Sequence, residues 1–283
     1  MATVKAKECF VTVNNLRLRY FDFGTEGKQP MLCLHGHAAQ AHIWDEFGEA
    51  MSPYYHVYAL DQRGHGGSQW ATDGYQREQM VADLTALMDT LNLTKVVLVG
   101  HSMGGWSSLY YTPDHQDRVD KIILVDIAPE PSEAMIKMMA TRPPTPMEFA
   151  TFDEAATWAR SMNPWISDER MHRDLNDRMR QMPNGKWTWK ADPALFKAPL
   201  RDTSDKELIA RYWRAMETIT CPILLVRGLG SVLVSDEVIE RMRKANPRFR
   251  AVDVADAGHV VSIDQPERFI AATSEFLGVP SQD

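Results

Sequence analysis

Short apolar runs alternate with segments of helical period through the first half of the chain. Residues 8–13 and 16–22 alternate apolar and polar positions and meet at Asn14-Asn15, a pair that tolerates the backbone of a tight turn. They predict an antiparallel hairpin. Residues 31–34, 57–60, 96–99 and 122–125 are compact and continuously apolar, the form of strands covered on both faces of a parallel sheet. Met80, Leu84, Leu87, Met88 and Leu91 recur at helical spacing and predict one buried helix face. After Pro222 the alternation resumes with a strand at 223–226, a helix at 236–245, a strand at 249–254 and a closing helix at 266–277. The expected fold class is α/β, a doubly wound, mostly parallel eight-stranded sheet with helices on both faces.

Residues 128–219 break this rhythm. They hold nine of the sixteen methionines and five of the eight tryptophans, with Pro143-Pro144 and Pro146 marking an irregular stretch. Helical segments are predicted at 153–162, 167–181 and 205–217. The expected organisation is a core of residues 1–127 and 220–283 carrying an inserted helical cap at 128–219. Met and Trp in such a segment fill its own core or, if the cap closes over the carboxyl ends of the strands, line a ligand pocket. Trp158 and Trp187 are the candidates for the pocket.

With 283 residues and 44% hydrophobic content the chain suffices for a full core plus an insertion. A formal charge of -7 and the absence of a basic run argue against nucleic acid or an anionic membrane as partner. The acid excess belongs to the core, since residues 128–219 carry 14 Lys plus Arg against 14 Asp plus Glu. No apolar run approaches the roughly 18 residues of a membrane span, and Met1 to Lys7 lacks the apolar segment of a secretion signal, so a cytoplasmic protein is expected. Cys9, Cys33 and Cys221 are odd in number and lie in or beside apolar runs, which fits reduced thiols better than a disulfide or a metal site. No metal and no cofactor are expected. Oligomeric state is open, a homodimer included.

Gly100-His101-Ser102-Met103-Gly104 stands directly after the run 96–99 and before a helix-compatible stretch. In a strand-to-helix turn this tight the serine is strained, and only glycine-sized neighbours fit two residues before and after it. The turn lifts the hydroxyl clear of the sheet and aims the first N–H groups of the helix at a developing oxyanion. A serine nucleophile needs a base. Of nine histidines, His259 follows the last strand in Gly258-His259-Val260-Val261, where a loop returns to the sheet top. His35, His65 and His101 read as structural; His42, His56, His115 and His172 have no supporting context.

These features together resemble the α/β-hydrolase superfamily over nearly the whole chain. The matching pieces are Leu34-His35-Gly36-His37, Asp61-Gln62-Arg63-Gly64-His65-Gly66-Gly67-Ser68, the turn at Ser102, and Gly258-His259. The resemblance implies Ser102 as nucleophile, His259 as general base and then acid, and an oxyanion hole from the N–H groups of His37 and Met103. Serine in the turn counts against the dehalogenase and epoxide hydrolase branches, which place aspartate there.

The acid of the triad departs from the commonest pattern. Gly228-Leu229-Gly230-Ser231-Val232-Leu233-Val234 follows the seventh strand without a carboxylate, and Ser231 stands at the usual place of the acid. A minority of the superfamily carries the acid after the sixth strand, where Asp126 stands. A carboxylate ending a buried strand needs a partner, and His259 is the natural one. The alternative is Asp236, reaching in from the next helix; Asp253 and Asp256 precede His259 too closely. The sixth-strand arrangement is similar to that of the 2-(acetamidomethylene)succinate hydrolases and of the cofactor-free heteroaromatic-ring dioxygenases. The expected activity is hydrolysis of a small carboxylic ester or lactone. Amide or carbon–carbon hydrolysis, a cofactor-free dioxygenase and a ligand receptor with a vestigial triad are the alternatives.

Overall fold

The computed structural model describes residues 4–24, 26–197 and 203–280. Eight strands form the main sheet: β1 (Lys7–Val13), β2 (Leu16–Asp22), β3 (Pro30–Leu34), β4 (His56–Leu60), β5 (Val96–His101), β6 (Val119–Val125), β10 (Ile223–Gly228) and β11 (Phe249–Val254). Their order is β1-β2-β4-β3-β5-β6-β10-β11. The β1–β2 and β2–β4 pairs are antiparallel and all the others parallel. The predicted hairpin is present, with Asn14 and Asn15 at φ 48° and 62°, both in the left-handed region that a two-residue turn of this hand requires.

The continuous apolar runs are buried on both faces for a visible reason. In β5, Val96 and Leu98 enter one core while Val97 and Val99 enter the other; in β10, Ile223 and Leu225 part from Leu224 and Val226 in the same way. Period-two alternation sends each strand into both layers. The first layer holds α2 (Arg77–Thr90), α3 (Met103–Tyr111), α7 (Lys206–Thr218) and α8 (Asp236–Ala245); the second holds α1 (Asp45–Met51), the short α9 (Val261–Asp264) and α10 (Pro266–Leu277). Leu208, Tyr212 and Met216 of α7 belong to the same buried cluster as α2 and α3, and Tyr212 stacks 6.3 Å from Trp106. This last helix of the 128–219 segment is therefore built into the layer beside the sheet.

The rest of that segment carries α4 (Glu133–Thr141), α5 (Phe152–Met162), α6 (Asp168–Arg178) and a small antiparallel sheet of β7 (Glu148–Phe149), β9 (Trp187–Trp189) and β8 (Met179–Gln181). It is not purely helical, and the single helix expected at 167–181 ends at Arg178. Pairing of Met179 with Trp189 and of Gln181 with Trp187 overrides helical propensity, because it buries Met179 and Trp189. The segment contacts loops at the carboxyl ends of the strands. His37 donates from Nε2 to Leu195 O at 3.0 Å, Asp192 N–H to Gly64 O at 2.8 Å, and Asn163 Nδ2 to Asp264 Oδ1 at 2.7 Å.

Candidate active site

Ser102 occupies the turn between β5 and α3 with φ 50° and ψ -114°, a conformation that L-residues rarely adopt. Crowding explains the glycines around it. A Cβ at Gly100 would lie 2.5 Å from Gly104 O, and one at Gly104 would lie 2.3 Å from Leu34 O, so no larger residue fits without moving backbone. The β3 loop passes directly over the serine: a Cβ at Gly36 would meet the Ser102 Cβ at 3.1 Å. His37 follows Gly36, and Met103 opens α3, where its N–H has no carbonyl one turn back in the helix to bond. Met103 thus adjoins the serine in the chain, and His37 follows the glycine packed against it.

His259 lies in the loop after β11 and Asp126 at the end of β6, 133 positions apart in the chain. Their side chains meet at 2.8 Å, Nδ1 to Oδ2. With Nδ1–H donated to the carboxylate, Nε2 carries the free lone pair, the tautomer a general base needs. Asp126 is fully buried, has φ 48°, and anchors its N–H to Val226 O at 2.9 Å. Aspartate is among the few residues that tolerate this left-handed conformation. His101 holds the histidine loop from the other side, donating from Nε2 to His259 O at 3.0 Å with the two rings 4.5 Å apart.

The other carboxylates considered for this role are engaged elsewhere. Asp236 pairs with Arg227 at 2.7 Å and its side chain is 82% exposed; Asp253 takes the same arginine at 2.8 Å, and Asp256 pairs with Arg268. His35 and His65 are structural as expected. His35 accepts the Gln62 N–H at Nε2 and burial depresses it to about 4, while burial holds His65 and His101 well below the ordinary histidine range. His37 is depressed too, chiefly by desolvation. Within the Asp61 to Ser68 motif, Asp61 accepts from Ala41 N–H and Gly67 N–H at 2.7 and 2.8 Å, which makes it a brace for the loops beside the site.

Trp158 and Trp187 sit in the insertion's own aromatic cluster. Trp158 lies 5.9 Å from Phe149 and 5.6 Å from Trp189, and Trp187 lies 5.0 Å from Phe152. Trp165 of the insertion, by contrast, touches two loops of the site. Its ring fills the space over two glycines, so that a Cβ would meet it at 2.2 Å from Gly230 and 2.6 Å from Gly258. Those glycines immediately precede Ser231 and His259. Asp264, likewise absent from the sequence reading, accepts Gly258 N–H at 2.8 Å and Asn163 Nδ2, and burial pushes it up to about 6. Nothing in the local pattern around Trp165 or Asp264 marks either one. Among the described residues no cluster of three or more His, Cys, Asp or Glu side chains is arranged to hold a metal, and no helix is long and apolar enough to cross a membrane.

A family model for the alpha/beta hydrolase fold matches residues 29–266. The chain belongs to this family. Among curated relatives, a 3-hydroxybutyrate-oligomer hydrolase of Cupriavidus necator is 27% identical, with 96% of each chain covered. A 2-(acetamidomethylene)succinate hydrolase of Mesorhizobium japonicum is 25% identical over 87% of each chain. In fold, the crystal structure of E-2-(acetamidomethylene)succinate hydrolase superposes with a TM-score of 0.84 at 23% identity, covering 97% of this chain and 100% of that one. The family thus accounts for the eight-stranded sheet and for hydrolysis as the chemistry of the curated relatives named here.

Proposed function

We propose that this hydrolase cleaves a small carboxylic ester or lactone through an acyl-enzyme formed on Ser102. The observation that carries the reading is the 2.8 Å contact between His259 Nδ1 and the buried Asp126 carboxylate, in a fold that strains Ser102 at the tip of β5. In the first half of the reaction His259 Nε2 takes the Ser102 proton as Oγ attacks the carbonyl carbon. The N–H groups of His37 and Met103 receive the charge that develops on the carbonyl oxygen. Collapse breaks the acyl–oxygen bond, and the imidazolium returns its proton to the leaving alkoxide. Water, deprotonated by His259, then attacks the acyl-enzyme, and the imidazolium returns that proton to Ser102 Oγ as the acid is released. Asp126 keeps the imidazole in the right tautomer and stabilises its charged form in both halves.

The segment from 128 to 197 acts in this reading as a lid that shapes the substrate pocket. Its contacts with His37, Gly64 and Asp264 support that role. Relatives named for hydrolysis of a 3-hydroxybutyrate oligomer and of 2-(acetamidomethylene)succinate support hydrolysis over oxygenation. A fluorophosphonate probe should label Ser102, and Ser102→Ala should abolish both labelling and turnover of p-nitrophenyl acyl esters. Ester hydrolysis at the wild-type rate in Ser102→Ala overturns the acyl-enzyme mechanism; turnover that survives but requires oxygen replaces it with the dioxygenase chemistry.

A further inference from the structure

Asp126 Oδ2 accepts two hydrogen bonds, one from His259 Nδ1 at 2.8 Å and a second from the Ser231 hydroxyl at 2.5 Å. Oδ1 meets no donor among the described residues. The direction of the serine bond is settled by its surroundings, because Ser231 Oγ itself accepts the Leu233 N–H at 3.2 Å and a carboxylate has no proton to give. The backbone holds Ser231 there: its N–H donates to Gly228 O at 3.0 Å, closing the turn that ends β10. A residue 105 positions away in sequence is thus clamped onto the oxygen that faces the histidine.

We propose that Ser231 is a positioning residue for the catalytic acid, an inference that rests on the triad described above. Its hydroxyl acts in two ways on Asp126. By pinning Oδ2 it stops the carboxylate from rotating away from His259, which favours turnover. By donating a short, charge-assisted hydrogen bond it also draws negative charge off that oxygen, so the carboxylate supports the imidazolium less than an unshared one does. Removing the hydroxyl therefore has opposite consequences for rate and for basicity. A residue that merely packed the turn would leave the second unchanged.

The test is kcat and kcat/KM for a p-nitrophenyl ester from pH 5 to 9 in wild type, Ser231→Ala and Ser231→Thr, with thermal melts and fluorophosphonate labelling in parallel. Ser231→Ala should lower kcat about 5- to 30-fold with KM within about twofold, and should move the acid limb of kcat/KM upward by about half a pH unit. Ser231→Thr, which keeps the hydroxyl, should recover kcat to within about threefold and return the acid limb to within about 0.2 pH unit of wild type. In an Asp126→Asn background Ser231→Ala should change kcat by less than about twofold, because the group it acts through is already neutral. A labelled wild type whose Ser231→Ala variant keeps its rate and acid limb overturns the inference alone, as does a lowered melting temperature with an unmoved limb. A wild type that resists the probe overturns the triad reading and this inference with it.

Discussion

Replacing Asp126 by asparagine removes one charge from a side chain that is fully buried and leaves its shape in place. The site then contains two donors, His259 Nδ1–H and the Ser231 hydroxyl, that both need an acceptor at one point. If the new amide oxygen takes that point, the geometry survives but the imidazolium formed during serine attack loses its counter-charge. If the amide nitrogen takes it, His259 turns to the other tautomer and Nε2 no longer accepts the serine proton. In the triad of a serine protease the same change costs about 10⁴ in turnover. A loss of about 10² to 10⁴ in kcat is expected here, equivalent to about 3 to 5 kcal/mol of transition-state stabilisation. Asp236→Asn is the control: its carboxylate is 82% exposed and bound to Arg227, so kcat should stay within a few-fold (~3) of wild type. The assay is kcat for both purified variants, normalised to active sites in the wild type, with circular dichroism to establish folding. A crippled Asp236→Asn, or an Asp126→Asn variant that retains more than about a tenth of kcat, refutes the sixth-strand acid.

Three further outcomes follow from packing and burial. Gly104→Ala puts a Cβ 2.3 Å from the Leu34 carbonyl, where only backbone can yield, so a loss of about 2 to 4 kcal/mol and of Ser102 labelling is expected; a soluble variant with wild-type melting and labelling contradicts it. Trp158→Ala and Trp187→Ala should each lower stability by about 3 kcal/mol through loss of the aromatic cluster and leave acyl-chain preference unchanged. Trp165→Ala, beside the Ser231 and His259 loops, should reorder that preference in a panel of p-nitrophenyl esters; the opposite distribution of effects assigns the pocket to the other tryptophans. Acid should destabilise the fold. Burial depresses His35 to about 4, below its unfolded value, so its contribution is complete above about 6.5 and is lost as pH falls toward 4, on the order of 3 kcal/mol. His65 and His101 shift the same way, while Asp264, raised to about 6, has the opposite sign, its contribution present below about 4 and gone by pH 6. Melting temperature should therefore fall from pH 7 to 4.5, and a flat profile there counts against neutral buried histidines.

Local order was legible in the chain because it is written in neighbouring residues. Runs such as 96–99 and 223–226 alternate between two cores, and each needs only its own side chains to announce a strand covered on both faces. Asn14-Asn15 declares its turn through the left-handed backbone, and Gly100 and Gly104 declare the strained serine through their lack of a Cβ. Asp126 was legible for a related reason: a carboxylate ending a buried strand requires a partner, and few donors are available. What stayed hidden depends on contacts between distant segments. Ser231 is marked in the chain by standing at the usual place of the acid, but its hold on Asp126 exists only once β6 and β10 lie side by side and bring its hydroxyl across 105 positions. Trp165 matters because its ring covers Gly230 and Gly258, and Met179 leaves its helix because Trp189 lies opposite it. The periodicity of a segment states which face will be buried; only the tertiary fold decides what is buried against it, since that contact is made by residues that no local pattern contains.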